Sequence, residues 1–221
     1  MPQQINRKIL IYFFLFIILG TLNNKNLNNF SFPKINSIKI IGLNIDNNLN
    51  KELEFFKVNN LFSIDKFQII QIFNSNNLIE EYNIFKRYPS SLEVEIIETK
   101  FLAITNIDGK NFFVGSNGKL IETKDNTKNL PYIFGNLDIN SFLNLKNIID
   151  KSNLNFQDIK NLYFFPSGRW DIETFSEILI RLPNERIKES LNFSLDLLID
   201  EKFSNIKLID VRQKNQVIIN E

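Results

Sequence analysis

The sequence contains neither cysteine nor histidine. The first absence removes disulfides, thiolate nucleophiles, acylation through a cysteine and zinc–thiolate sites together. The second removes the commonest general base and metal ligand. An excess of one charge is missing too: 26 Lys and Arg stand against 25 Asp and Glu, a net charge of +1, so no global field recruits nucleic acid. The one basic pair of note, Lys86-Arg87, is too small for nucleic-acid readout and suits the shielding of a turn. A glycine-rich phosphate loop is lacking as well. Gly115-Ser116-Asn117-Gly118 runs into Lys119-Leu120 without the helix that a phosphate cradle opens onto. What remains for catalysis is carboxylates, Ser, Lys and Tyr. Glu80-Glu81 and Glu93, Glu95, Glu98 suggest paired carboxylates, but period two sets Glu93 and Glu95 on one solvated side of a strand. Asp108, Asp138 and Asp171 sit beside turns, where Asp serves the backbone. The expectation is a protein that is not an enzyme and takes no cofactor or metal.

What is present is material for a core. The chain has 221 residues, enough for one large domain or two small ones, and 13% aromatic residues, nearly all of them among its 22 Phe. Asn, Ile, Lys and Phe are heavily used, as an AT-rich genome imposes, so single Asn residues carry no assigned role.

Residues 1–8 form a short polar tail ending in Arg7-Lys8, and 9–22 is an uncharged apolar run, ILIYFFLFIILGTL. Fourteen residues make roughly 21 Å of helix, short of a ~30 Å hydrocarbon core, which favours a signal-peptide segment on length. The exit Leu19-Gly20-Thr21-Leu22 lacks a small-x-small cleavage site, and Arg7 and Lys8 snorkel to extend the span. The balance favours an uncleaved signal anchor with its amino end inside, since Arg7 and Lys8 precede the run and only Lys25 and Lys34 follow it.

Residues 23–34 read as a spacer. A strand around Ile38 and Ile40 stops at Gly42; a short helix through Phe56 is capped by Asn48 or Asn50; a second begins after Ser63, whose hydroxyl suits its cap, with Ile64, Phe67, Ile70 and Phe73 on one face. Tyr82, Ile84 and Lys86 alternate, then Leu92, Val94 and Ile96, around a turn at Pro89-Ser90-Ser91. The order is β-α-α-β-β over 35–99. In 100–221, Asp108-Gly109 and Asn117-Gly118 mark turns of an antiparallel meander from Leu102 to Ile121, followed by a polar loop from Lys124 to Asn129. Phe142, Leu145, Ile148 and Ile149 mark a helix capped by Asp138, Asn140 or Ser141. Strand candidates follow at Tyr163–Phe165, Trp170–Phe175 and Glu177–Leu182, then an amphipathic helix from Ile187 to Ile199 and strands within Ile206–Ile219. The fold class is α+β. An apolar helix leads into two modules, the second β-rich with an antiparallel sheet and flanking helices.

Lys86 to Glu98 followed by Leu102-Ala103, with Leu130-Pro131…Gly135, Gly168-Arg169-Trp170-Asp171, Leu182-Pro183 and Asp210-Val211-Arg212, resembles the bacterial division family FtsQ (DivIB in some lineages). Thr99 stands where the family usually has Arg, Phe101 where it has Pro, Phe175-Ser176 where it tends to have Asn-Gly, and Gln213 where a residue is often aromatic. The resemblance implies a POTRA domain over 35–99 and a family β domain over 100–221. It implies a non-enzymatic divisome scaffold, single-pass in the inner membrane at the septum, with FtsB-like and FtsL-like partners. A periplasmic POTRA-type chaperone or translocation accessory is the alternative.

The carboxyl-terminal strand, Val217 to Ile219, carries no charge from Gln216 to Asn220. It is either an open edge that templates pairing or an edge covered by the helix over Ile187–Ile199. The resemblance implies the open edge. On it Arg212, Gln213, Gln216, Val217, Ile218 and Ile219 form the expected partner-binding site, with pairing through the backbone and Arg212 facing a partner carboxylate.

Overall fold

The computed structural model describes residues 7–22, 31–42, 47–124, 129–199, 205–214 and 216–220. The chain is mixed α+β, with a three-stranded sheet in the order β1 (Ser37–Ile41), β3 (Ser91–Glu98), β2 (Ile79–Arg87) and a nine-stranded sheet. It divides into two compact units, one of Met1–Ile40, Ile45–Lys66 and Ile84–Val94, the other of Ile41–Asn44, Phe67–Asn83 and Glu95–Glu221.

The first unit opens with α1 (Arg7–Leu22), 16 residues or about 24 Å of helix. No described helix is long and apolar enough to cross a membrane. Helix α2 (Asn47–Glu54) runs into a 3-10 turn at Phe55–Val58. Asn48 and Asn50 therefore stand inside α2 rather than before it, and their side chains lie outside the description, as do most of the spacer and residues 125–128 of the expected polar loop. Ile35, Leu49, Leu53, Phe56, Leu61, Ile64, Leu92 and Val94 are its buried apolar residues. Ser63 does not cap the next helix, α3 (Lys66–Ser75). Its N–H donates to the Asn60 side chain and its hydroxyl to the Asn60 carbonyl, which closes a tight turn instead.

In the second unit α3 buries Ile69 and Phe73, one helical turn apart, while Phe67 is 64% exposed. The expected apolar face was misplaced because a helix starting at Lys66 points Phe67 outward. The segment after it is fastened by side-chain hydrogen bonds. Asn117 Nδ2 donates to the carbonyls of Asn77 and Ile79, both at 2.9 Å, the Thr99 hydroxyl donates to Glu80 at 2.9 Å, and Lys119 Nζ donates to the Asn74 carbonyl at 2.7 Å.

The large sheet runs β12-β11-β10-β9-β8-β7-β4-β5-β6. Strands β4 (Phe101–Ile107), β5 (Lys110–Gly115) and β6 (Leu120–Thr123) form the expected antiparallel meander, with Asp108 and Gly109 at φ 51° and 79° in its first turn. The remainder corrects the expectation of an antiparallel sheet. β7 (Tyr132–Phe134) is parallel to β4 and to β8 (Ile159–Phe164), and β10 (Leu179–Arg181) is parallel to β11 (Leu208–Asp210). The reason lies in the connections. α4 (Ile139–Asp150) joins β7 to β8 and α5 (Ile187–Ile199) joins β10 to β11, and a helix between neighbouring strands returns the chain to the same end of the sheet. The second strand candidate is β9 (Trp170–Thr174), antiparallel to both neighbours. The first strand starts at Ile159, four residues earlier than expected, and the β9–β10 turn places Glu177 at φ 61°.

Asp138 caps α4 by accepting from the Asn140 N–H. Phe142, Leu145 and Ile149 of α4 and Leu191 and Leu195 of α5 pack on Ala103, Val114, Ile133, Leu162, Ile172, Ile180 and Ile209 of the sheet. Trp170 is fully buried among them, with its ring 4.6 Å from Phe164 and 6.4 Å from Phe142, and its Nε1–H donates to Ser141 Oγ at 3.1 Å.

Candidate partner-binding edge

At one end of the large sheet lies β12 (Ile218–Asn220), antiparallel to β11 with Ile209 opposite Ile219, and no described strand lies beyond it. The strand is offset by one residue from the expected Val217–Ile219: Val217 falls outside the ladder and Asn220 falls inside it. Backbone parity decides which groups face outward. The parallel pairing with β10 uses odd-numbered residues of this segment, since the Leu179 N–H donates to the Lys207 carbonyl and the Val211 N–H to the Arg181 carbonyl. Leu208 and Asp210 are left to pair with Asn220 and Ile218. The N–H and C=O of Ile219 therefore turn away from β11, toward the open edge.

Side chains alternate the other way. Ile219 is half-buried against the core beneath, whereas Ile218, 57% exposed, shares the outer face with Asp210. Asp210 is the centre of a charge ladder that crosses three strands. Registered pairs Arg181–Asp171 and Arg181–Asp210 place oppositely charged side chains side by side, each at 3.7 Å. Arg212 adds a bidentate contact, its Nε donating to Asp210 Oδ1 at 2.8 Å and its Nη2 to Oδ2 at 2.5 Å. These bonds hold the Asp210 carboxyl below its ordinary range and raise the Arg212 guanidinium. Burial pushes Asp171 up, against the pull of Arg169, Arg181 and Arg212. Asp171, expected beside a turn and within the strand candidate Trp170–Phe175, lies in β9 at 6% exposure; among the described residues its Oδ1 and the buried Nε of Arg169 have no hydrogen-bond partner.

Two clefts flank the segment between β11 and β12. One of about 400 Å³ opens on the outer face, lined by Arg169, Asn184, Asp210, Arg212 and Ile218. The other, about 360 Å³, opens beside α5 and is lined by Arg186, Phe193, Val211 and Val217. Gln213 and Gln216 line both and so form the ridge between them. The structure thus brings all six expected residues to one edge, with Arg212 already engaged by Asp210. Sequence reasoning missed Asp171, Arg181 and Phe193. Asp171 and Arg181 carried a legible signal, as charged residues alternating with the apolar Ile172 and Ile180. Among the described residues no group of acidic side chains is arranged to hold a metal ion.

Comparison with known proteins gives one concordant result. The family model for "Cell division protein FtsQ/DivIB, C-terminal" matches residues 103–212. Cell division protein DivIB of Clostridium botulinum (strain Loch Maree / Type A3) is 32% identical over 133 residues, 59% of this chain and 50% of that protein. Cell division protein FtsQ of Rickettsia bellii is 24% identical over 177 residues, 77% of this chain and 65% of that protein. The alignment thus spans about half the length of the C. botulinum relative. The solved extracytoplasmic domain of DivIB from Geobacillus stearothermophilus overlays 42% of this chain and 86% of its own at 14% identity and a TM-score of 0.34, a likeness too distant to carry the fold.

Proposed function

The chain belongs to the FtsQ/DivIB family of cell division proteins, and from that premise we propose that it is a non-enzymatic scaffold of the division machinery that captures a partner strand on β12. In this reading Arg7–Leu22 anchors the chain in the inner membrane with its amino end in the cytoplasm. Residues 35–99 act as a POTRA module, 100–221 as the family β domain, and an FtsB-like protein, with its FtsL-like companion, adds a strand beside Ile219. The observation that carries the reading is the edge itself. β12, Ile218-Ile219-Asn220, ends the nine-stranded sheet without Lys, Glu or Pro, so its three-residue length is the one device that blunts the edge.

Co-expression of the full chain with the FtsB-like and FtsL-like proteins of its host tests this. Ile219→Pro removes the outward N–H, a substitution an open edge tolerates, and Ile218→Lys adds a charge beside it. Both variants should lose the partner and keep the thermal transition of the parent. Co-purification of either folded variant at parental yield would sink the edge reading. The 16-residue length of α1 favours one second reading, a cleaved leader that releases a POTRA-type chaperone. Amino-terminal sequencing of the mature protein decides: a start near Asn23 supports the chaperone, an intact Met1 the anchored scaffold.

A further inference from the structure

Three aromatic side chains of the first unit project from its surface and lie against one another. Phe32 is 46% exposed, Phe62 56% and Tyr88 61%, and the ring centroids are 4.3 Å apart for Phe32–Phe62 and 5.3 Å for Phe62–Tyr88. They come from three separate stretches: the segment before β1, the turn before α3, and the β2–β3 turn. Their meeting is therefore a product of folding rather than of sequence proximity. Apolar surface of this kind, gathered and left in solvent, marks an interaction site.

Charge and chain length indicate what covers it. Lys34 follows Phe32 by two residues and is exposed, and Lys86-Arg87 immediately precedes Tyr88. Arg87 and Glu93 pair at 3.0 Å and cancel, while Lys86 Nζ donates to the Leu61 carbonyl at 2.5 Å, next in sequence to Phe62, and so sets its ammonium beside the rings. The cluster thus combines aromatic rings, one with a polar tip, and a cationic margin. Such rings settle at the headgroup level of a bilayer, and Lys and Arg are drawn to anionic lipid. Nine residues separate Leu22 of α1 from Phe32, a distance of at most about 36 Å even for a fully extended chain. Helix α1 belongs to the same unit and leaves its whole apolar circumference exposed, from Ile9 at 62% to Phe16 at 77%.

We propose that the Phe32–Phe62–Tyr88 cluster is a lipid-contact surface, which rests on the headgroup layer of an anionic bilayer with Lys34 and Lys86 as its cationic margin. The proposal rests on the reading of Arg7–Leu22 as a membrane anchor. It adds a second contact, through which the folded unit is held against the membrane rather than only tethered to it.

The absence of cysteine makes the test clean, because any introduced cysteine is the sole labelling site. Lys34→Cys, which keeps all three rings, and Tyr88→Cys carry a nitroxide on the full chain reconstituted into phosphatidylglycerol–phosphatidylethanolamine vesicles. Phe14→Cys in α1 and Phe175→Cys, 55% exposed in the second unit, are the references. Collision with oxygen is compared with collision with a water-soluble nickel chelate. Labels at 34 and 88 should favour oxygen over nickel relative to the label at 175. That preference should be lost when Phe32→Ser and Phe62→Ser are combined with Lys34→Cys. If 34 and 88 behave like 175 while 14 reports lipid, the anchor stands and this proposal is overturned, leaving the cluster to a protein partner. If 14 also reports water, the anchor reading fails and the proposal falls with it.

Discussion

Trp170 offers the sharpest test of how the second unit is held together. Its indole is fully buried between sheet and α4, tilted against Phe164 and Phe142, and Trp170→Ala should cost about 3–5 kcal/mol. That figure combines lost apolar contact with the cavity left behind, and the hydrogen bond can be separated from it. Ser141→Ala removes the acceptor of the indole N–H, at 3.1 Å, and leaves a buried donor without a partner, which costs about 1–3 kcal/mol. Trp170→Phe removes the donor as well as part of the ring. In a Trp170→Phe background Ser141→Ala should therefore cost far less than it does in the parent, with a coupling energy of about 0.5–3 kcal/mol. Urea unfolding followed by far-ultraviolet circular dichroism measures all four proteins, and fluorescence follows the sole Trp where it remains. A loss below about 1 kcal/mol for Trp170→Ala would place the indole at the surface. Additive single substitutions would refute the hydrogen bond.

Asp210→Asn tests the charge ladder through pH. Hydrogen bonds from Arg212 lower the folded pKa of Asp210, so their contribution to stability is complete above the unfolded value, about 4, and is lost as pH falls through the lowered folded value. Thermal melts should show the variant less stable than the parent at pH 7, with the gap narrowing as pH is lowered below about 4; a gap independent of pH would refute the assignment. Gly135→Ala should destabilise by more than about 1–2 kcal/mol in the same urea assay, because Gly135 has φ 103° and a Cβ there would lie 2.1 Å from the Phe164 carbonyl oxygen; an unchanged midpoint would contradict the β7–β8 geometry.

The sequence made the elements legible where a local rule acts alone. Asp138 sits where a cap belongs, Asp108-Gly109 has the backbone its hairpin requires, and Ile187–Ile199 coincides with the predicted helix because Leu191 and Leu195 repeat one turn apart. It misled where a local preference met a competing partner. Ser63 is a good cap, but the Asn60 side chain and carbonyl claim it first. The parallel pairings were present in the alternation of strand, helix and strand, but turn signals elsewhere pulled the reading toward antiparallel strands. Asp171, close after Gly168, reads as serving the backbone beside a turn rather than a charge ladder. Only the register of β9 on β10 reveals Arg181 as its neighbour, and register is not written in either strand alone. Individual Asn residues were set aside as drift, and Asn117, with both amide hydrogens on backbone carbonyls, shows the cost of that economy.

The parity of β12 limits what its backbone can contribute to affinity. Among its three residues, only Ile219 turns its N–H and C=O outward, so an added strand gains one pair of main-chain hydrogen bonds in this span, worth roughly 1–3 kcal/mol net. A nanomolar complex needs about 12 kcal/mol, and the difference must come from side chains. The two clefts lie on opposite faces of the edge, one beside Arg169 and Arg212, the other beside Phe193 and Val211. Successive residues of an incoming strand point to opposite faces, so one set meets the cleft beside Arg169 and Arg212 and the next meets the cleft beside Phe193 and Val211. A partner segment that fits this edge therefore carries two different sets of side chains, interleaved with period two. A slip of one position would exchange the two sets and put every side chain in the wrong cleft.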